Sequence, residues 1–437
     1  MNNKFRDILI SSSSPEWHAR LRGIHAQVRE ATYFDAGDEN DKRLDSILDG
    51  VKNRKDLAVQ EFTKEFDRVT LTSERFICSK AELEKAHAEI DKDLLKSIQR
   101  AIENVNKYQE EIFVGNKKEN IHPGIKYTPI KRVGICVPGA SAPLPSTVIM
   151  TVVPAQVAGV PEIVIVSPPR YKDSIHPVIL AVCYELGIKE VYRIGGAQAI
   201  AALAFGTQTI KPVDKIVGPG NQWVQMAKRK VFGYVDIDSI SGPSEVLIIA
   251  NNKADPAWVA TDMLSQVEHD PGSAVLFTDS PKLAGKVLNE LEIQIEKLDR
   301  ADRTIKCLKK YGAIIVFDDI QQVVDQANYF APEHLHIQCG DKSRKIADKI
   351  ENAGAIFIGQ YSPVAVGDYW AGPSHTLPTG MTAKFFSALS SNDFIKSTSI
   401  IEYSKKQLEE SAEDIIRLAM VEGLDAHAKS IQIRRQD

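Results

Sequence analysis

Paired cysteines are missing from this 437-residue chain. Its five cysteines, Cys78, Cys136, Cys183, Cys307 and Cys339, are scattered, odd in number and form no C-x-x-C. That argues against a disulfide framework or a thiolate zinc site and favours reduced thiols. No uninterrupted apolar run reaches about 18 residues, so no membrane span is expected. Met1 to Ser14 holds no apolar stretch followed by a small-residue cleavage site, and the expected location is cytoplasmic. Charge of one sign is lacking too. Basic residues number 54 and acidic 58, a net charge of −4; such a chain offers no global field for nucleic acid. No repeat of about 20–50 residues occurs. No G-x-G-x-x-G follows a strand, so the strongest sequence argument for a dinucleotide is absent.

What is present is globular in proportion, 43% hydrophobic and 26% charged. At roughly 100–200 residues per domain, the length predicts two to four domains. The first third reads as helical. Ser79-Lys80-Ala81-Glu82 has the form of a capping box, which satisfies free N–H groups at a helix start. Leu94, Leu95, Ile98, Ala101, Ile102, Val105, Tyr108 and Ile112 recur at three- and four-residue steps, one stripe of a long amphipathic helix. His122-Pro123-Gly124 ends this region, and Ser11 to Ser14 reads as a loop.

Short apolar runs closed by Gly or Pro then alternate with helical segments: Arg132 to Pro138, Glu162 to Pro169, Glu190 to Gly195 and Lys215 to Gly220. A second set follows at Glu245 to Ala250, Ala274 to Thr278, Ala313 to Phe317 and Ala355 to Gly359. Apolar strands alternating with helices predict parallel sheets covered on both faces, hence two α/β units. From Tyr403 onward the chain is charged and helical, too short for a core of its own.

Glycine turns at Pro138-Gly139, Gly195-Gly196 and Gly218-Pro219-Gly220-Asn221 close predicted strands, where open α/β sheets place ligands; ordinary strand-to-helix turns are the plain alternative. Gln266 and His269 are expected on one face of a helix that begins at Asp255-Pro256 and stops at Asp270-Pro271-Gly272. An amide oxygen and an imidazole there could converge on a metal, or be a surface Gln and a dipole-favoured His. Glu333 and His334 adjoin just before an apolar run. A neighbouring carboxylate and imidazole can divide proton-transfer work. Both can act only at an irregular strand start, because neighbours along a strand face opposite ways. Asp368, His375, Glu422 and His427 lie in turn-rich or helix-end stretches. Gln, two His and Asp would suit zinc, but spacing does not join points from 266 to 427. Cys136 precedes a strand-end turn, and its plain reading is a buried small hydrophobe rather than a nucleophile.

Several stretches resemble the histidinol dehydrogenase family: VPGASAPLPSTVIM from Val137, GGAQAIAALAFGT from Gly195, VDKIVGPGN from Val213, SGPSEVLIIA from Ser241, DMLSQVEHDP from Asp262, APEHL from Ala331, GDYWAGPSHTLPTG from Gly367 and EGLDAHA from Glu422. They run in the family's order from about residue 30 to the end. The resemblance implies oxidation of L-histidinol through L-histidinal to L-histidine with two NAD⁺, the last step of histidine biosynthesis. It implies a zinc held by Gln266, His269, Asp368 and His427, which binds substrate nitrogens. It makes His334 the general base and Glu333 the activator of water. Ser244, Gln266, His269, His334, Asp368, His375, Glu422 and His427 would form the substrate site. Among cofactor positions Gln198 and Asn221 match, whereas a position usually Tyr is Cys136, and Gly139-Ala140 stands where Gly-Gly is common.

The implied fold is two incomplete Rossmann-like domains, with helical terminal segments interlocked in a homodimer that shares active sites. The expected divisions are 1–30, 31–136 with 246–389, 137–245 and 390–437. Two alternatives stay open: a related zinc/NAD dehydrogenase of another amino- or sulfo-alcohol, and a non-enzymatic two-domain ligand-binding protein.

Overall fold

A strand buried on both faces must be apolar at every position, with successive side chains feeding two different cores. The computed structural model, which describes residues 3–116, 124–139, 143–269 and 271–435, shows this twice. Its strands are β1 (Leu9–Ser11), β2 (Ile125–Pro129), β3 (Arg132–Cys136), β4 (Glu162–Val166), β5 (Glu190–Tyr192), β6 (Lys215–Val217) and β7 (Asp236–Ile237). They continue with β8 (Ser244–Ala250), β9 (Gly272–Thr278), β10 (Gly312–Val316), β11 (His334–Gln338), β12 (Ala355–Ile358) and β13 (Ile395–Ser399).

Five strands run parallel in the order β5-β4-β3-β6-β7. Val133 and Ile135 face one core, with helices Lys92–Ile112 and Pro145–Val157. Val164 and Val166 face the other, with helices Glu39–Arg54 and Gly196–Phe205. Six strands form the second parallel sheet, β1-β10-β9-β8-β11-β12. Val246 and Ile248 face the helices Pro256–Val267 and Pro281–Ile295. Leu247 and Ile249, the alternate residues, face Glu16–Thr32 and Ile320–Phe330. All four of these β8 side chains are fully buried, so truncating one to Ala would cost roughly 2–5 kcal/mol.

With β3 or β8 counted as the first strand, both sheets share the order 3-2-1-4-5, five of the six strands of the doubly wound order, β1 being added at one edge of the six-stranded sheet. The class is therefore α/β with two Rossmann-like parallel sheets. The Ser79 capping box and the long helix Lys92–Ile112 are present.

The expected divisions need correction. Leu9–Ser11 is a strand paired to β10, and Trp17, Leu21 and Ile24 enter the adjoining core, so 1–30 is no separate segment and Ser11 is not in a loop. Arg132–Cys136 and the helices between residues 39 and 112 build the five-stranded sheet and its cores, not the six-stranded one. Their apolar stripes fit the faces of that sheet, which chain order alone does not reveal. Ser391–Phe394 also packs inward, with Phe394 fully buried.

Residues 1–116 and 129–395 make one compact unit; 117–128 and 396–437 make another. In the second, β2 and β13 pair, and helices Lys405–Val421 and Asp425–Gln432 pack together. Those two helices bury only Ala412, Ala419 and Ala428, while Leu418 is 66% and Val421 83% exposed. His122 and Pro123 of the expected breaking turn lie outside the described residues, as do Ala140 and Asp270.

Candidate active site

The helix Ile320–Phe330 ends at Ala331, which adopts a left-handed conformation with φ +47°, and Pro332 forbids its continuation. This irregular turn lets Glu333 and the first residue of β11, His334, reach one place. Glu333 Oε2 accepts from Ser244 Oγ at 2.6 Å and from the Glu245 backbone N–H at 2.7 Å. It also lies 3.3 Å from His334 Nδ1. His334 Nδ1 donates to the Glu245 carbonyl at 2.9 Å. A carbonyl only accepts, so Nδ1 carries a proton, and Nε2 is the nitrogen that gains or gives up the second one. That Nε2 is buried without a hydrogen-bond partner among the described residues, 3.8 Å from Asp368 Oδ1.

Burial alone would lower the His334 pKa, but the Glu333 carboxylate, with Asp368, pushes it up to about 10. Asp368 shows the mirror case. Burial would raise it, yet His334, His375 and His269 hold it below the usual carboxylate range. His375 Nδ1 donates to the Asp368 carbonyl at 3.2 Å, so it too presents Nε2, and burial depresses its pKa.

Gln266 sits in the last turn of the helix Pro256–Val267, 2% exposed, with Nε2 unpartnered. His269 lies beyond the helix, in an exposed turn; its N–H reaches the Gln266 carbonyl at 3.4 Å. The expectation that both share a helical face is thus corrected: the helix stops at Val267, and Glu268 is its cap. An amide oxygen, an imidazole and a carboxylate are zinc donors by chemistry; the unpartnered Nε2 of Gln266 is a hydrogen-bond donor, and Oε1 is the atom that could face a metal. Among the described residues, however, no ready-made metal cluster of three or more His, Cys, Asp or Glu is found. Glu422 and His427 belong to the second unit, where both are exposed; Glu422 caps one helix and His427 lies on the next.

Cys136, Gln198 and Asn221 come together around a cavity of about 730 Å³, also lined by Pro138, Gly139, Gly195, Gly196, Pro219 and Gly220. It lies at the carboxyl ends of β3 and β6, where the strand order reverses. Helices Gly196–Phe205 and Gln222–Val231 both begin at its wall. Their free N–H groups make it suited to an anion without the missing glycine fingerprint. Gln198 is fully buried with both amide atoms unpartnered. Asn221 Oδ1 accepts the Val224 N–H at 3.2 Å as the helix cap, leaving Nδ2 for a ligand. Burial pushes the Cys136 thiol up to about 12, which disfavours a thiolate nucleophile.

Two features escaped the sequence reading. Glu245 holds both Glu333 and His334 through its backbone, and its Oε2 accepts from the Gly380 N–H at 2.9 Å. Burial, with Glu333 nearby, pushes its carboxyl up to about 8. A carboxylate heading the apolar run Val246 to Ala250 was the available signal. The second is Lys228, fully buried against Asp238; no motif marks it, because partners ten residues apart meet only in the fold. Removing one partner of such a pair costs about 3–5 kcal/mol.

Comparison with known proteins points to one family. The family model described as histidinol dehydrogenase matches residues 34–435. The histidinol dehydrogenase of Geobacillus kaustophilus is 45% identical over 95% of this chain and 99% of its own length. That of Bacillus subtilis is 46% identical over 92% and 95%. The crystal structure of histidinol dehydrogenase from Elizabethkingia anophelis superposes with a TM-score of 0.90 at 33% identity, covering 100% of this chain and 99% of that one. With sequence, family match and fold in agreement, the chain belongs to the histidinol dehydrogenase family.

Proposed function

We propose that this protein oxidises L-histidinol through L-histidinal to L-histidine with two NAD⁺, the last step of histidine biosynthesis. The observation that carries the reading is the buried, unpartnered His334 Nε2 facing Asp368, with its other nitrogen locked by the Glu245 carbonyl. A ring so held has one orientation and one nitrogen through which it exchanges a proton; the Glu333 and Asp368 charges favour the protonated ring, and Nε2 takes the alcohol proton once it has given up its own. Glu333 Oε2 is occupied by Ser244 and Glu245; Oε1 is the oxygen for a water that hydrates the aldehyde before the second oxidation. His375, with its Nε2 turned away from the Asp368 carbonyl, and Ser244 contact the substrate.

Gln266, His269 and Asp368, completed by His427, would hold zinc. The ion would supply positive charge to take up Asp368 and to attract the amine and imidazole nitrogens of an amino-imidazole alcohol. NAD⁺ would sit in the cavity of Cys136, Gln198 and Asn221 and accept the hydride. Cys136 replaces the family's usual aromatic there without changing the reaction.

The second unit gives the reading of a homodimer with shared sites its support. Two helices that bury three alanines and expose Leu418, Met420 and Val421 lack a core of their own. Glu422 and His427 would serve the partner's site. No helix among the described residues is long and apolar enough to cross a membrane.

The test is the NADH yield per histidinol with and without a chelator. Two equivalents, lost on chelation and restored by zinc, are expected. One equivalent overturns the four-electron reaction; a yield indifferent to chelation overturns the zinc.

A further inference from the structure

We infer that Lys228 and Asp238 are positioning residues for the cofactor, gripping the loop that ends β6. The inference rests on NAD⁺ binding in the cavity of Gln198 and Asn221. β6 ends at Val217, and Gly218 turns away with φ +109°, a conformation suited to glycine. A Cβ there would collide with the Cys136 carbonyl, so the loop is pressed against the end of β3. The Gly218 peptide has left the sheet ladder, and both of its polar groups need partners. Lys228 Nζ donates to the Gly218 carbonyl at 3.1 Å, and the Gly218 N–H donates to Asp238 Oδ2 at 2.7 Å. Asp238 Oδ1 pairs with Lys228 and accepts the Ser239 N–H at 2.7 Å.

The ammonium is fully buried and the carboxylate side chain 4% exposed. Together they are neutral, so they add little field to the cavity. Their action is geometric. They join the helix Gln222–Val231, the exit of β7 and the exit of β6 at one glycine. The next three residues, Pro219, Gly220 and Asn221, line the cavity. From the same helix Gln225 Oε1 accepts the Ser241 N–H at 2.9 Å, which ties the segment leading to Ser244.

The experiment is calorimetric titration of the full-length, zinc-loaded protein with NAD⁺, alongside KM for both substrates. Lys228→Met should raise the Kd and KM for NAD⁺ at least roughly tenfold, with histidinol KM and zinc content unchanged. If Lys228→Met does not fold, Lys228→Met/Asp238→Asn removes both charges together. That variant keeps an acceptor for the Gly218 N–H and should fold with NAD⁺ still weakened, because the Gly218 carbonyl has lost its donor. Wild-type NAD⁺ affinity in either folded variant overturns the inference alone. A parallel loss of NAD⁺ and histidinol binding also overturns it, since that is a merely structural role. Absence of NAD⁺ binding by the wild type overturns the cofactor reading itself.

Discussion

The two sheets share one strand order but gather their candidate site residues at opposite ends. The five-stranded sheet gathers Cys136, Gln198 and Asn221 beyond the carboxyl ends of β3, β5 and β6. The six-stranded sheet gathers Ser244, Glu333 and His334 at the amino ends of β8 and β11. The chemistry differs in the same way. The first end is built from glycine turns, helix N-termini and an uncharged amide. The second holds Glu245, Glu333, His334, Asp368 and His375 within one network. The rule that ligands sit at carboxyl ends of parallel strands follows from helix N-termini lying there. It suits an anion held by backbone. Proton transfer needs side chains of unlike charge held close, and the amino ends supply these through the loops that enter β8 and β11.

The largest expected effect breaks the charged end. His334→Asn should lower the overall rate by roughly 10²–10⁴-fold while zinc content stays the same, measured by NADH formation and metal analysis. An unchanged rate would remove the base and, with it, the contrast between the two ends.

A smaller effect concerns stability. The Glu245 carboxyl is raised to about 8, so the folded state binds this proton more tightly than the unfolded chain. That stabilisation is present at low pH and is lost as pH rises from the ordinary carboxylate range through about 8. Glu245→Gln cannot ionise. It should match the wild type near pH 5 and melt a few °C higher near pH 8.5, by calorimetry. A gap that does not widen with pH would show that the carboxylate is tolerated in its charged form.

The smallest effect belongs to the uncharged end. Cys136→Ser should leave histidinol and histidinal oxidation within about twofold of wild type, because the thiol is buried and protonated. Near-complete loss of the histidinal step would place reactive chemistry at that end and erase the comparison.

Much of this was legible in the chain. Continuous apolar runs between helical segments marked the core strands, since a strand covered on both faces has no polar side to show. The Ser79 capping box and the stripe from Ile98 to Val105 also appear where local pattern placed them. Glu333 and His334 stood out as adjacent partners, and the need for an irregular strand start is met by Ala331. The strand Leu9–Ser11 was missed because three residues carry no periodicity. His269 falls off its helix because the chain turns toward β9 two residues earlier than the spacing suggested.

By itself the sequence determined the core strands and the family, both of which rest on local pattern or on motifs long enough to be specific. Tertiary structure alone decided which sheet the segment 31–136 serves, which end of each sheet gathers the candidate site residues, and that Glu245 and the Lys228–Asp238 pair hold the loops beside them. Those outcomes depend on hydrogen bonds and burial between segments distant in the chain. One-dimensional spacing does not encode where a peptide leaves its ladder or which buried charge meets it.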